Sequence, residues 1–294
     1  MGWRTVAVTR PAKLDYSLGY MVVRDAESTV KIHIDEISLL IIENTASSVT
    51  TALLSKLTSS KVKVIFCNEK RNPSSELVSY HGSYDCSKVI KEQISWTDAS
   101  KQIVWTAIVR EKILNQANHL LFCGHRKEAQ MLFDYIDEIE LADVTNREGH
   151  SAKVYFNALF GKSFSRNDDN PVNAALNYGY SLILSCINRE IVSDGYLTSL
   201  GIHHDNPYNH FNLSCDIMEP FRPLVDFEVT KAVPLRFEKD EKQRMISLLS
   251  KDIMISDKTN TCLNAIKIYT RSVLRALALE DTSIIEFPRV NYEL

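Results

Sequence analysis

The stretch HGSYDCSKVIKEQIS at residues 81–95 separates two kinds of sequence pattern and thereby decides the predicted fold class. Before it, short β-branched or apolar runs alternate with turn-forming residues, as is typical of strands. After it, apolar residues recur at the spacing of amphipathic helices. The stretch itself is polar, which we interpret as a linker or domain edge. The sequence therefore predicts an α+β protein, with a small N-terminal β-domain at residues 1–84 followed by a larger all-α domain at residues 85–294.

The individual elements follow from the same patterns. In the first domain, strands are predicted at Thr5–Thr9, Tyr20–Arg24, Thr29–Ile34, Ser38–Glu43 and Lys61–Cys67, and a helix capped by Ser47 or Ser48 at 47–57. In the second, helices are predicted at Ser100–Asn118, Lys127–Leu141, His150–Leu159, Pro171–Val192, Leu213–Val233, Glu241–Leu249 and Thr261–Leu279. Because proline disrupts a helix interior, Pro220 and Pro223 predict that the helix kinks or ends near Glu219.

Composition narrows the class of protein. The 294 residues are 45% hydrophobic and 24% charged, which is typical of a soluble globular chain. No apolar run reaches the ~18 residues of a membrane span, and the N-terminus does not resemble a signal peptide, so we expect a cytoplasmic protein. Six cysteines without a CxxC pair predict free thiols. The net charge of −3 means that any contact with DNA must come from local basic patches.

The densest chemistry lies in a loop, GIHHDNP at residues 201–207, which carries His203 and His204. Asp216 and Glu219 follow at a spacing of three, so a helix would place both carboxylates on one face. One imidazole together with carboxylate oxygens suits Mg²⁺ or Mn²⁺. The alternative is that the histidines decorate a polar loop and that the acids form a solvated helix face.

A three-ligand site needs a further donor, and Glu148 in the segment NREGHSAKVYF at residues 146–156 offers one. It stands at the start of a predicted helix, where an acid can also serve simply to complement the helix dipole. His150 is another candidate from the same segment, although a lone histidine is more often a hydrogen-bonded bystander.

Several basic residues could contact a phosphate backbone. Arg222 follows Glu219 by three residues and could bind phosphate in a bidentate manner, or pair with Asp216 or Asp226. Arg147 and Lys153 flank Glu148. Lys267, Arg271 and Arg275 recur every four residues and form a basic stripe on the last long helix, which is either a track for DNA or a set of partners for acids elsewhere.

Three ordered blocks carry a resemblance to a known family: NREGHSAKVYFNALFG at 146–161, DDNPVNAALNYGYSLILSCINREI at 168–191 and LGIHHDNPYNHFNLSCDIMEPFRPLVD at 200–226. They resemble the CRISPR adaptation endonuclease/integrase, the Cas-one family, in the form found in type II-A systems. The runs Leu39–Asn44 and Val64–Asn68 fit the N-terminal domain of that family, so the resemblance extends over essentially the whole chain.

The resemblance implies a site. Glu148, His204 and Glu219 would be catalytic and would carry Mg²⁺ or Mn²⁺. His204 is preferred to His203 because it stands three residues after Gly201, where the family places its histidine. Many members have aspartate where Glu219 stands. Asp216 would be an auxiliary or supporting group, and His203 would support the site or contact DNA.

The resemblance also implies a reaction, transesterification, in which the 3′-hydroxyl of a captured DNA fragment attacks a phosphodiester at the border of a CRISPR repeat. Its implied partners are double-stranded DNA, as prespacer and repeat, and the small Cas-two protein, whose central dimer bridges two homodimers built through the β-domain. In type II-A systems the effector nuclease and a ring-shaped DNA-end-binding protein also take part.

Three other functions stay open at this point. The first is a free-standing metal-dependent nuclease that cuts branched or single-stranded DNA. The second is a non-catalytic assembly scaffold whose acids and histidines are structural. The third is a zinc hydrolase using His203, His204 and His210, although their spacing matches no established zinc motif.

Overall fold

The computed structural model describes residues 2–79 and 85–290, which fall into two compact units. The first unit spans Met1–Tyr84 and the second spans Asp85–Leu294. Strands dominate the first unit and helices the second, which confirms the predicted α+β class.

The first unit contains two four-stranded sheets and a helix. Its elements are β1 (Arg4–Val8), β2 (Lys13–Ser17), β3 (Tyr20–Arg24), β4 (Thr29–His33), β5 (Ile37–Ile42), β6 (Ser48–Val49), α1 (Thr51–Ser59), β7 (Lys63–Cys67) and β8 (Pro73–Leu77). One sheet has the order β1-β5-β7-β8 and the other the order β4-β3-β2-β6. All six residues of β5 are buried, as expected for a strand with parallel neighbours on both sides.

The sequence pattern did not predict β2 and β8, which depend on pairing with neighbouring strands. β2 and β8 are polar apart from a few side chains, so neither has the apolar alternation that predicts a strand. β8 is held instead by its antiparallel pairing with β7. The helix also begins later than predicted, because the cap that accepts the Leu53 N–H is Thr50, whereas Ser48 belongs to β6.

The second unit is organised around its longest helix, α3. Its elements are α2 (Cys86–Ile94), α3 (Asp98–Phe122), α4 (Arg126–Asp137), α5 (Arg147–Phe160), α6 (Pro171–Ser193), α7 (Asn212–Ile217), α8 (Arg222–Lys231), α9 (Lys239–Ser247), β9 (Asp252–Ile255), β10 (Lys258–Thr261) and α10 (Cys262–Leu279). Helix α3 packs against α4, α5, α8 and α10. Among the described residues, every helix is too short or too polar to cross a bilayer.

Two expectations for this unit need correction. The polar stretch at 81–95 does contain a domain edge, since the two units divide between Tyr84 and Asp85, but it is not a linker from Cys86 onward, because Cys86–Ile94 forms α2; residues 81–84 lie outside the described part of the chain. The amide of Gln93 is buried and donates to the carbonyls of Leu197 and Leu200, so a polar residue carries tertiary contacts here. The unit is also not entirely helical, since β9 and β10 pair as an antiparallel hairpin.

The prolines interrupt the chain where predicted. Helix α7 ends at Ile217, a 3₁₀ turn covers Glu219–Phe221, and α8 begins at Arg222 with Pro223 in its first turn. The carboxylates of Asp216 and Glu219 therefore do not share the face of one continuous helix. The break lets each carboxylate point to a different neighbour.

Helices α6 and α8 approach closely at Gly179, and we predict that Gly179→Ala destabilises the protein. An added Cβ would lie 2.4 Å from Cγ1 of the fully buried Val225. Overpacking of this kind costs about 1–3 kcal/mol, which exceeds the ~1 kcal/mol that alanine gains over glycine in a helix. The measurement is the free energy of unfolding in urea.

The control is Ser181→Ala on the same helix, because the Ser181 hydroxyl donates to the Asn177 carbonyl of its own helix. We expect this variant to stay close to wild type. A Gly179→Ala protein as stable as wild type would contradict the close packing of α6 and α8.

Candidate active site

Two glutamates from distant parts of the sequence meet at a single lysine. The Lys112 ammonium, on α3, binds an Oε atom of Glu148 at the start of α5 and an Oε atom of Glu219 in the 3₁₀ turn. The side chains of Lys112 and Glu219 are 6% and 4% exposed, whereas Glu148 is 31% exposed. The site is therefore deep on the Glu219 side and reachable from solvent on the Glu148 side.

A tight turn before α5 fixes the position of Glu148. The carboxylate of Asp143 accepts the backbone N–H of Arg147 at 2.8 Å and that of Glu148 at 3.0 Å, so it satisfies two donors of the first helical turn. Asn146 adopts a left-handed backbone conformation, with φ of 53°, and its side chain accepts the N–H of Gly149. These contacts orient the first turn of α5 toward α3.

The buried carboxylate of Asp216 organises the histidine loop. It accepts the backbone N–H groups of Ile202 at 2.6 Å and of His203 and His204 at 3.1 Å each. Gly201 is required beside it, because an added Cβ would lie 2.2 Å from the His204 carbonyl oxygen. The loop is thus wrapped around one charged group that is fully buried.

The same carboxylate orients the His204 ring. Nδ1 of His204 lies 2.5 Å from Oδ1 of Asp216, and since a carboxylate accepts hydrogen bonds, Nδ1 carries the proton. When the ring is neutral, Nε2 is left with a lone pair, the arrangement found in histidines that bind metal ions. The hydrogen bond to Asp216 raises the pKa of His204 despite partial burial, and the charges of Asp216, Glu219 and Glu148 add to the rise.

Glu219 stays ionised although it is buried. Burial alone would raise its pKa, but Arg222 and Lys112 outweigh this effect and lower the pKa to about 2. Nε of Arg222 donates to the second Oε atom of Glu219 at 2.7 Å. Burial of Lys112 would lower the pKa of its ammonium, but Glu219 and Glu148 together hold that pKa above its usual value.

Arg222 is itself held by a polar network behind the site. Its guanidinium lies 4.7 Å from the centroid of the Tyr180 ring, and the Tyr180 hydroxyl donates to Asp226. Burial raises the pKa of Asp226 to about 6, although the hydroxyl hydrogen bonds of Tyr180 and Tyr155 oppose the rise. Arg222 therefore has two fixed neighbours, the Glu219 carboxylate and an aromatic face.

The donor atoms of Glu148, Glu219 and His204 fit a hard divalent cation in type, since they offer carboxylate oxygens and one imidazole nitrogen. The Asp216–His204 hydrogen bond supplies the ring orientation that such a ligand needs. In the present side-chain positions, however, the described residues contain no group of three His, Cys, Asp or Glu side chains arranged to hold a metal ion. The cation between the two glutamates is the Lys112 ammonium.

The other predicted residues lie around this centre or away from it. The His203 ring stacks on the indole of Trp105, with centroids 4.4 Å apart and planes 3° from parallel. Arg147 pairs with Glu138 and lies over the Tyr135 ring. Lys153 is exposed on α5.

The zinc hypothesis gains no support from this geometry. The His203 ring stacks on Trp105, and the His204 ring meets the same indole edge-on while its Nδ1 is engaged by Asp216. His210 is exposed in the same loop.

The basic stripe of α10 lies on the part of the helix that is not buried. Lys267 and Arg271 are half-buried and Arg275 is exposed. Arg271 also pairs with Asp194 at 2.9 Å, which is the kind of acidic partner that the sequence left open for this stripe.

Sequence reasoning missed Lys112, although the pattern held a signal for it. Lys112 follows the buried residues Val104 and Ile108 at intervals of four, so it belongs to the apolar stripe of α3. A lysine in such a stripe is buried and needs anionic partners. Asp143 was missed as well. An acid just before a helix is usually exposed to solvent, and nothing in the sequence distinguishes Asp143 from such acids.

The chain is similar to a known protein family over most of its length. Residues 6–251 match the family described as CRISPR associated protein Cas1. The chain is similar to the CRISPR-associated endonuclease Cas1 of Neisseria meningitidis serogroup C, with 31% identity over 295 residues that cover 99% of this chain and 97% of the relative. It is also similar to a CRISPR-associated endonuclease Cas1 of Pyrobaculum aerophilum, with 24% identity over 75% of this chain and 79% of that protein.

Solved structures share the fold. A casposase bound to integration product superposes with a TM-score of 0.76 at 16% identity, covering 99% of this chain and 93% of that one. A Cas1 protein from Thermotoga maritima gives 0.75 at 14% identity, with 95% and 98% coverage. A chain of a Cas6-RT-Cas1–Cas2 complex gives 0.73 at 18% identity, with 99% of this chain and 36% of that chain covered.

We predict that Asp216→Asn lowers the stability of the protein and the pKa of His204. The carboxylate accepts hydrogen bonds from backbone N–H groups on both oxygens. Replacing one oxygen with an NH₂ group puts a hydrogen-bond donor opposite another donor, so that this hydrogen bond is lost. An unsatisfied buried donor costs about 1–3 kcal/mol. The measurements are urea unfolding and an NMR titration of the His204 ring, both in chelator. Asp205→Asn, an exposed neighbour in the same loop, is the matched control.

The sign of the pH dependence follows from the raised pKa of His204. Stabilisation by the charged pair is fully present below the unfolded pKa of about 6.5 and is lost as pH rises through the higher folded value. The stability difference between wild type and Asp216→Asn should therefore shrink as pH rises through that range. A difference that grows with pH would contradict the pairing.

Proposed function

Because the chain belongs to the Cas1 family of CRISPR-associated proteins, we propose that it is a divalent-metal-dependent DNA endonuclease and integrase of CRISPR adaptation. In the proposed reaction, the 3′-hydroxyl of a captured DNA fragment attacks a phosphodiester at the border of a CRISPR repeat. A new phosphodiester forms as the old one breaks, and the leaving strand takes a proton and becomes a free 3′-hydroxyl. One bond of the same kind replaces another, so the reaction needs no nucleotide cofactor.

The observation that supports this proposal most strongly is that Glu148 and Glu219 both bind the buried ammonium of Lys112. They are separated by more than seventy residues, yet both carboxylates bind the same ammonium. The charges of both glutamates also contribute to the raised pKa of His204, so the imidazole lies within electrostatic range of them. A scaffold protein has no need to gather two carboxylates and an oriented histidine at a partly open site.

The proposed roles follow from the contacts of each residue. Glu148, His204 and Glu219 would hold Mg²⁺ or Mn²⁺, which when bound supplies charge neutralisation at the phosphoryl oxygens and favours the alkoxide of the attacking strand. Asp216 keeps Nδ1 of His204 protonated and so leaves Nε2 as the nitrogen that would bind the ion. Arg222 holds one oxygen of Glu219, which fixes the carboxylate, and its remaining guanidinium nitrogens are a proposed phosphate contact.

The proposed macromolecular partners are double-stranded DNA, as prespacer and repeat, and the small Cas2 protein. The match to a chain of a Cas1–Cas2 complex and to a casposase bound to integration product supports these partners. We further propose a homodimer built through residues 1–84, with two dimers bridged by Cas2. The type II-A effector nuclease and the DNA-end-binding ring protein are proposed as additional partners on the strength of the sequence blocks described above.

A free-standing nuclease would use the same ligands, so the two functions are separated by their products. Labelled donor DNA is incubated with the protein, Cas2, Mn²⁺ and a plasmid carrying a repeat. Joining of the label to the plasmid supports the integrase, whereas shortening of the donor without joining supports a nuclease.

We predict that Glu148→Gln, His204→Ala and Glu219→Gln each lower the rate of joining by at least about a hundredfold, because groups that merely orient a metal ligand are already worth ~10–100-fold. The measurement is the initial rate of plasmid joining at saturating Mn²⁺. Glu140→Gln, which removes an exposed acid eight residues before Glu148, is the control and should join at the wild-type rate. Near wild-type rates in the three variants would favour a scaffold.

The basic stripe generates a second prediction. Changing Lys267, Arg271 and Arg275 to Gln should weaken DNA binding and flatten its salt dependence. The slope of log K against log salt should fall by ~0.9 for each phosphate that the variant no longer neutralises. The measurement is fluorescence anisotropy with a DNA duplex at several salt concentrations.

The control changes Lys88, Lys91 and Lys101 to Gln, which removes the same charge from α2 and the start of α3. An equal decrease of affinity in both triple variants would show that net charge, and not the stripe, attracts DNA.

A further inference from the structure

We infer that Lys112 is an internal competitor of the divalent cation, so that a cation binds Glu148 and Glu219 by displacing the lysine ammonium. This inference rests on the metal site proposed above. Its basis is that one ammonium already contacts both carboxylates and is itself almost completely buried. A second cation cannot enter the same space without strong repulsion at low effective dielectric constant.

The occupancy of Glu219 shows which positive group must move. One oxygen of Glu219 binds Nε of Arg222, and the other binds Nζ of Lys112. A metal ion needs at least one of these oxygens. Arg222 is fixed by the Tyr180 ring at 4.7 Å, whereas the ammonium of Lys112 ends a flexible four-carbon chain. Lys112 is therefore the group that leaves.

The charge of the site leads to the same conclusion. Glu148 and Glu219 contribute two negative charges, and Lys112 and Arg222 contribute two positive charges, so these four groups sum to zero. A divalent ion gains little from a neutral cluster, because it must also lose part of its hydration shell. When Lys112 is displaced, the ion meets the negative charges of the Glu148 and Glu219 carboxylates without the ammonium between them. Lys112 thus sets the affinity of the site for divalent ions below what its ligands alone would give.

A purely structural lysine is the alternative. In that case Lys112 would remain bonded to the glutamates in every state, and its removal would damage the fold without improving metal binding. The two cases differ in the sign of the change in metal affinity, which makes them separable by experiment.

The test measures Mn²⁺ binding by isothermal titration calorimetry, without DNA, in wild type, Lys112→Met and Lys112→Gln. Methionine keeps an unbranched apolar chain that is one atom shorter and uncharged, and glutamine keeps a neutral hydrogen-bond donor. We expect both to bind Mn²⁺ at least about tenfold more tightly than wild type, since metal binding no longer breaks an ion pair. Lys101→Met is the matched control, because Lys101 lies eleven residues earlier on α3, ~16 Å away along the helix. It should bind as wild type does.

Thermal unfolding with and without Mn²⁺ covers the case in which the variants fold poorly. Lys112→Met removes the cation that the two carboxylates share, leaving Arg222 as the remaining partner of Glu219, and should melt lower than wild type in chelator. Because a ligand stabilises the state that it binds, Mn²⁺ should raise the melting temperature more in this variant than in wild type. If both variants fail to fold and saturating Mn²⁺ does not restore them, the inference is overturned, since the ion then cannot replace the lysine.

Glu148→Gln separates failure of this inference from failure of the proposed function. If wild type binds no Mn²⁺, or Glu148→Gln binds it equally well, the proposed metal site is wrong. The inference that Lys112 competes with the ion is then wrong as well. If Glu148→Gln loses binding while both Lys112 variants bind Mn²⁺ no more tightly than wild type, the metal site stands and the displacement of Lys112 is wrong.

Discussion

The second unit depends on a constraint of electrostatics: two carboxylates brought together below the surface require a cation between them. Glu148, Glu219 and Lys112 come from three separate segments, and their mutual attraction ties α5 and the α7–α8 junction to α3. Removing a single member of such a buried cluster leaves an uncompensated charge and is costly. A cluster of this kind is a poor choice for stability alone, since an apolar core would serve as well. Under the proposed function, its value is that it keeps a charged centre in place that can bind a divalent cation.

The chain positions this centre by ordinary local devices. Asp143 fixes the first turn of α5 through two backbone hydrogen bonds, and Asp216 gathers the N–H groups of the histidine loop. The prolines break the helix between Asp216 and Glu219, so that one carboxylate supports His204 while the other faces Lys112. Two of these devices are hydrogen bonds from backbone N–H groups to a carboxylate and the third is a helix break, and together they bring side chains from separate segments toward one centre.

Much of the fold could be predicted from the sequence, and the exceptions have physical causes. β3 was predicted to the residue and α3, α6 and α10 within a few residues, because their apolar periodicity is strong. β2, β8 and α2 were missed because pairing or polar tertiary contacts hold them. Glu148, His204 and Glu219 were chosen by resemblance to a family, since pattern alone left them open. Lys112 was missed because a lysine is usually solvated, and its place in the apolar stripe of α3 was the neglected clue.

A crystal of the protein soaked in Mn²⁺ and measured at the manganese absorption edge would test this cation-binding centre without any assay of activity. We predict one anomalous peak bounded by Glu148, Glu219 and Nε2 of His204, with the Lys112 ammonium moved away from the carboxylates. An absence of manganese at that position at saturating concentration, with Lys112 still bridging the two glutamates, would contradict both the metal site and the displacement.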